Sequence, residues 1–498
     1  MSPETKQKRA RRPRRPDENT VDGIPPLARL FPLGLQHVMA MYAGAVAVPL
    51  IVGGALGYSS ADLAFLISAD LFVAGIATII QSVGFWRFGV RLPLMQGVTF
   101  AAVGPMIAIG QSEGIQAVFG ATIACGLFMI VVAPFFSQLL RFFPPIVTGT
   151  VILIIGLSLM RVAANWIIDG SEDGAPPVNV AFAVGTLLFI VLIERFAPAA
   201  LARVSVLLGL IIGTIVALFV PGMVDWSGVG DAAWFAVVTP FHFGLPTFQV
   251  ASIVSMIIVG IVIMTETTGD MIAVGEIVDK PVGRKQLADG LRADGLGTVI
   301  GGVFNTFPYT AFAQNVGLVS LTGVRSRYVA TMAGVILVVL GLIPKISMIV
   351  EGVPRAVLGG AGIALFGMVA ASGIRTLAKV RFNNKNVLIV AISIGVALLP
   401  TVTPTIYDQF PDWFTLIFDS GISAGAITAI LLNLLLNQDA FRTETDAAAI
   451  SAHDAVRGPA AAALVHPEAE GTGLIQTQLL GTEDAEPDSS GSGGEQRD

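Results

Sequence analysis

The fold class predicted for this chain is an all-α membrane protein, built from fourteen transmembrane segments arranged as an inverted 7+7 repeat. Three observations lead there. Of its 498 residues, 54% are hydrophobic and only 13% charged, against about 25% charged in a soluble domain. Apolar stretches of roughly 20 residues recur along the chain, the length needed to cross ~30 Å of hydrocarbon. Two Gly/Pro-interrupted apolar segments also stand at matching places in the two halves, the pattern that marks a midplane binding site in repeat-built carriers.

The segments fall near 31–52, 61–83, 90–111, 115–135, 145–163, 178–196, 203–221, 248–275, 287–304, 306–324, 328–350, 354–374, 386–403 and 414–437. The third, eighth, ninth and tenth are interrupted by polar residues. Basic residues gather in alternate loops: Arg87/Arg91, Arg195/Arg203, Lys280/Arg284/Lys285, Arg325/Arg327 and Arg375/Lys379/Arg381/Lys385. The opposite loops, including 169–173 and 225–244, carry no Lys or Arg, and Arg161, Lys345 and Arg355 are exceptions near the outer ends. The bias of cations toward the cytoplasm therefore predicts a multi-pass protein of the cell membrane with both termini inside and an even count of crossings.

Outside the membrane domain, 31–437, lie two tails. Residues 1–30 form a basic arm interleaved with prolines, including Lys6, Lys8, Arg9, Arg11 and Arg12. No apolar stretch with a cleavage site follows its start, so it reads as a cytoplasmic anchor or a contact for anionic lipid, not a removable signal. Residues 438–498 are rich in Ala, Gly, Glu and Asp, the composition of a disordered cytoplasmic tail. The single cysteine, Cys125, excludes an intramolecular disulfide and reads as packing.

The chemistry concentrates in two segments. The eighth turns acidic at Thr265-Glu266-Thr267-Thr268-Gly269-Asp270. A carboxylate at bilayer depth costs roughly 2.5–3.5 kcal/mol on insertion scales, so it lines a pathway or binds something. Glu266 and Asp270 are four residues apart and share one helical face. The third segment carries Gln96-Gly97-Val98-Thr99-Phe100, and seven segments later the tenth carries Phe312-Ala313-Gln314-Asn315-Val316-Gly317. A repeat of seven segments forces the halves into opposite orientations.

A carboxylate at Glu266 accepts N–H bonds, and the Gln314 amide answers a neighbouring N–H/C=O pair. Together they suit a small polar solute. Backbone N–H groups near Phe100 and Ala313 add donors, and Phe100 and Phe312 are candidates for stacking. Asp270, Asp294 and Glu266 are the titratable candidates for proton coupling. His37 reads as a site organiser acting on the third segment, and Asn315 as a holder of the tenth-segment break.

The stretch Gln314-Asn315-Val316-Gly317-Leu318-Val319-Ser320-Leu321-Thr322-Gly323 resembles the signature of the nucleobase–ascorbate transporters, or nucleobase–cation symporters. Gly34-Leu35-Gln36-His37, Gln96-Gly97-Val98-Thr99-Phe100, Glu266 with Asp270, and Asp294 match further family motifs over roughly residues 30–437. The resemblance implies a core domain of segments 1–4 and 8–11, a gate domain of segments 5–7 and 12–14, and a homodimer moving like an elevator. The Gln-Asn pair resembles the purine carriers, and Thr99 resembles uric-acid carriers more than xanthine carriers, which tend to have Asn there.

The expected activity is therefore import of uric acid or xanthine by proton symport, with no cofactor, no metal and no nucleic-acid partner. A uracil or other nucleobase permease, or an inorganic-anion carrier of the same architecture, is the alternative. An enzyme is not expected, because the chain has no H-E-x-x-H motif.

Overall fold

Helices occupy nearly every apolar segment in a computed structural model that describes residues 19–139 and 142–437. The basic arm up to residue 18 and the tail from 438 lie outside the described residues. The first half comprises α1 (Leu27–Ala55), α2 (Ser60–Val83), strand β1 (Gln96–Val98), α3 (Val103–Glu113), α4 (Ile115–Val132), α5 (Phe136–Leu139), α6 (Pro145–Ile168), α7 (Pro177–Phe196), α8 (Ala199–Ala202) and α9 (Ser205–Ala217). The second half follows. It comprises α10 (Val250–Ile277), α11 (Arg284–Val303), strand β2 (Tyr309–Ala311), α12 (Ala313–Thr322), α13 (Arg327–Gly341), α14 (Pro344–Glu351), α15 (Arg355–Leu377), α16 (Asn384–Val402), α17 (Asp412–Phe418) and α18 (Gly421–Leu436).

Among the described residues, eight helices are long and apolar enough to cross a membrane, or nine spans if α13 and α14 are joined across their 82° bend. Pro344 opens α14, and a proline has no N–H to continue the preceding helix. The other five expected segments depart from a simple span for visible reasons. The third and tenth are each a strand followed by a short helix. The ninth, α11, is fully helical but carries Arg284, Lys285, Asp289, Arg292 and Asp294. The seventh keeps only the 13 residues of α9, and the fourteenth divides into α17 and α18.

The chain is thus not purely helical. Unwinding a membrane segment frees backbone N–H and C=O groups that must be satisfied internally. Here the two broken segments satisfy each other. β1 and β2 pair antiparallel with Gln96 opposite Ala311, Gly97 opposite Thr310 and Val98 opposite Tyr309. The pairing continues on both sides, from Thr99 N to Pro308 O at 2.9 Å and from Phe312 N to Met95 O at 3.1 Å.

Neighbouring helices clamp the strands through threonines. Thr78 Oγ1 on α2 accepts from Gln96 N at 2.9 Å, and Thr298 Oγ1 on α11 accepts from Tyr309 N at 3.1 Å. Thr267 Oγ1 on α10 accepts from Ala311 N at 3.1 Å.

The packing partners repeat under exchange of the halves. α2 packs on α13 as α11 packs on α4; α1 packs on α13 as α10 packs on α4; α7 packs on α9 as α16 packs on α18. Glycines make two of these crossings close. A Cβ on Gly75 would lie 2.5 Å from the Gly334 carbonyl oxygen, and one on Gly126 would lie 2.6 Å from that of Gly295. Small residues at such crossings let membrane helices approach backbone to backbone. Most packing falls within two sets: α1–α4 with α10–α14 around the strand pair, and α6, α7 and α9 with α15, α16 and α18.

Candidate functional site

The strand pair gathers the expected residues from four elements. α10 brings Glu266 and Asp270, α11 brings Asp294, the β1–α3 stretch brings Thr99 and Phe100, and α12 opens with Ala313, Gln314 and Asn315. Both short helices start beside the strand pair, so their first N–H groups face the region between the broken segments.

The three carboxyl groups lie within electrostatic reach of one another, with Glu266 and Asp294 both acting on Asp270. No ion pair to any of them forms among the described residues. Asp294 is fully buried, and its Oδ1 accepts from Gln81 Nε2 at 2.7 Å. Gln81 also donates to Gly290 O at 3.1 Å and accepts from Val90 N at 2.9 Å, so it joins α2 to α11. Thr267 and Gln96 face the same carboxyl group, although neither amide atom of Gln96 has an aligned partner. Asp270 Oδ2 and Asp294 Oδ2 are likewise buried without a partner.

Glu266 is half-buried and borders a small recess walled by Phe143, Thr148, Val151 and Ile152 at the start of α6. It therefore faces the second packing set across the interface. Gln314 and Ala313 are exposed on the first turn of α12, whereas Asn315 is buried. Asn315 Nδ2 bonds His37, and His37 is buried on α1. The expectation that His37 acts on the third segment needs correcting: its observed partner belongs to the tenth.

Thr99 is buried, and its Oγ1 accepts from Ala101 N at 3.1 Å. The hydroxyl thus supports the turn into α3. Phe100 is half-buried and meets Phe366 of α15 edge-on at 5.9 Å. Phe312 is buried against Gly97 and Gly44, where an added Cβ would come within 2.3 and 3.0 Å of its ring, so it fills space.

A larger cavity, about 790 Å³, lies elsewhere. It runs from Arg355 and Thr401 to Val103 and Gly104 in the first turn of α3, and none of the expected site residues lines it. Trp166 on its wall leads inward through Phe366, at 6.3 Å, to Phe100. Among the described residues, no three His, Cys, Asp or Glu side chains are arranged to hold a metal ion.

Sequence reading passed over Asp70. This carboxyl group is fully buried on α2, where Oδ1 accepts from Tyr309 Oη at 2.8 Å and Thr306 Oγ1 at 3.3 Å. The signal was available, because Asp70 is an acid inside an apolar segment just as Glu266 is. Thr78, Thr267 and Thr298 carried no comparable signal, since threonines are common in membrane helices.

A helical membrane protein with paired broken segments and buried carboxyl groups beside them fits the class of membrane transporters. The profile of the Permease family, Xan_ur_permease, matches residues 28–406. The nucleobase transporter PlUacP of Paenibacillus larvae is 48% identical over 82% of this chain and 94% of its own. The uric acid transporter UacT of Escherichia coli is 45% identical over 84% and 88%, and a xanthine permease of Bacillus subtilis is 47% identical over 81% and 93%. The chain belongs to this family, the nucleobase–ascorbate transporters, in its purine permease group.

Solved structures extend the likeness at the level of fold alone. The transmembrane domain of the cyanobacterial bicarbonate transporter BicA superposes with a TM-score of 0.58 at 16% identity, over 81% of this chain and 98% of that one. A murine Solute Carrier 26 family member, A9, gives 0.52 at 13%, over 82% and 68%.

Proposed function

We propose that this chain imports a purine across the cell membrane by proton symport, with uric acid first, xanthine second and uracil a distant third. The observation that carries the reading is the meeting of Glu266, Asp270 and Asp294 beside a strand pair that α12 follows, with Gln314 exposed in its first turn. Glu266 and Gln314 contact the ring, with Thr99, Phe100, Ala313 and Asn315 completing the pocket. Asp270 and Asp294 couple the proton, and His37 holds Asn315. The likeness to uric acid and xanthine permeases supports the purine class.

Fourteen crossings with both termini cytoplasmic, in two inverted halves, form part of the same proposal. The exchange symmetry of the helix contacts supports it. A core of segments 1–4 and 8–11 and a gate of segments 5–7 and 12–14 belong to the same proposal, and the two packing sets support it. Glu266 faces α6 across their interface, so an elevator-like slide of the core along a dimeric gate would carry the site past that wall. An inorganic-anion carrier is the second reading, because such carriers share the fold. The site favours the purine over an inorganic anion because its carboxyl groups can accept ring N–H bonds, which sulfate and bicarbonate do not offer.

The test is uptake of radiolabelled urate, xanthine and uracil by cells lacking their own carriers, with and without a protonophore. Purine uptake that collapses with the protonophore is expected. Uptake of bicarbonate or sulfate in place of purine would select the other reading.

A further inference from the structure

At the end of the helices that carries the loop cations, a second cavity of about 540 Å³ opens between the α2–β1 turn and the start of α11. Its wall includes Trp86, Arg87, Arg284, Lys285, Asp289 and Arg292. Arg292 is already paired with Asp289, at 2.6 Å. Arg87, Arg284 and Lys285 have no acidic partner among the described residues and are all exposed. Three cations therefore converge on one concavity in which the acid is used up.

Two of them sit where helix electrostatics disfavours them. Arg284 and Lys285 are the first residues of the 20-residue α11; its first turn contains no acid, and the cap residue Gly283 supplies no side-chain bond. The helix dipole favours anions at that end and disfavours cations. An anion in the cavity would satisfy the free N–H groups and offset both charges together.

The opposite wall is built to meet lipid. Phe85 and Phe88 exchange backbone hydrogen bonds at 2.9 and 2.8 Å, making a tight turn with Trp86 and Arg87 at its tip. Trp86 holds a left-handed φ of 46°, which is uncommon outside glycine, and the residue is 79% exposed. Arg87 lies over that ring at 5.7 Å. Phe85 is exposed in the same turn, and Phe135 is exposed next to the cavity-lining Pro134. Exposed tryptophan beside clustered Arg and Lys is the pattern of a membrane–water interface.

We propose that this cavity binds a phosphate group carried by an anionic phospholipid of the cytoplasmic leaflet. Arg87, Arg284 and Lys285 hold the phosphate, while Trp86 packs on the glycerol and upper acyl region. The site is separate from the carboxyl cluster, and its test does not depend on which solute is carried.

The full-length protein, purified in detergent, is exposed to phosphatidylglycerol, phosphatidylcholine of equal chain length, or inorganic phosphate, and bound lipid is counted by native mass spectrometry. Phosphatidylglycerol should be retained over phosphatidylcholine by about tenfold, and excess inorganic phosphate should displace little of it. The Arg87→Ala/Lys285→Ala double variant should lose that preference, while Arg375→Ala/Lys379→Ala, in another basic loop, should keep it. If the double variant is not monodisperse, Lys285→Gln alone and Trp86→Ala should each weaken retention. Equal retention in the cavity variants, or equal loss in both loops, overturns the proposal. Full displacement by inorganic phosphate overturns the lipid as its source.

Discussion

Asn315 donates from Nδ2 to the carbonyl oxygen of His37 at 2.9 Å and meets the ring Nδ1 of the same residue at 3.1 Å. The carbonyl fixes which end of the amide points there, because a flipped Asn315 would oppose two oxygens. With the amide donating, Nδ1 accepts and the ring proton resides on Nε2. The first turn of α12, which also bears Gln314, is thereby tied to α1.

Asn315→Ala should therefore loosen the start of α12. Removing a buried donor leaves two acceptors on His37 unanswered, at about 1–3 kcal/mol. The expected outcome is a lower thermal midpoint in detergent and a raised KM for uptake. An unchanged KM at normal expression would show that the tie does not shape the pocket.

Glu266→Gln should abolish transport in a protein that still inserts. Glu266 is half-buried, with no hydrogen-bond partner of its own among the described residues, so its carboxylate is available to a ligand. A charge-assisted bond is worth about 1.5–3 kcal/mol, roughly ten- to hundredfold in affinity. Uptake near parental rates would remove Glu266 from the mechanism.

Gln314→Glu should weaken purine recognition and move residual preference toward a uracil-like ring. Gln314 is exposed on the first turn of α12, free to address a solute. The substitution keeps an acceptor but loses the NH₂ donor that answers a purine carbonyl, leaving oxygens opposed. The measurement is competition of labelled uptake by unlabelled urate, xanthine and uracil; an unaltered order would exclude ring reading by Gln314.

The limits of legibility follow from what each residue displays in one dimension. Glu266, Asp270 and Asp294 declare themselves because acids are rare at bilayer depth. The broken segments declare themselves through Gly, Pro, Gln and Asn inside apolar runs. Their mutual pairing does not, since Gln96 and Ala311 are more than two hundred residues apart and no local pattern encodes such a register. His37 was assigned to the wrong segment for the same reason. Nor could the sequence say that the Thr99 hydroxyl turns back to the Ala101 amide.

Tyr309→Phe should test the buried acid that sequence reading missed. Asp70 Oδ1 would keep only the longer Thr306 bond, at 3.3 Å, and Oδ2 already lacks a partner. Stranding a buried carboxyl oxygen is worth about 1–3 kcal/mol of destabilisation. Thermal unfolding of purified protein should report the loss. Asp70→Asn, which keeps an acceptor for Tyr309, should be milder than Asp70→Ala, and the reverse order would place Asp70 outside the support of β2.

Thr99→Asn should move selectivity from urate toward xanthine. Thr99 is buried where β1 gives way to α3, and its hydroxyl already accepts from Ala101 N. An asparagine can make that same bond through Oδ1, so the turn survives while a larger NH₂ group is pushed toward the ring. Urate carries a C8 carbonyl that xanthine lacks, and crowding there penalises urate alone. One such difference is worth about 1–3 kcal/mol, so the urate-to-xanthine uptake ratio should fall by roughly ten- to hundredfold. Thr99→Ser keeps the small hydroxyl and should leave the ratio alone, whereas Thr99→Val removes the bond to Ala101 N and should depress both substrates together. If Thr99→Asn also depressed both equally at normal surface expression, Thr99 would act only on the turn, and the ranking of urate above xanthine would lose its main support.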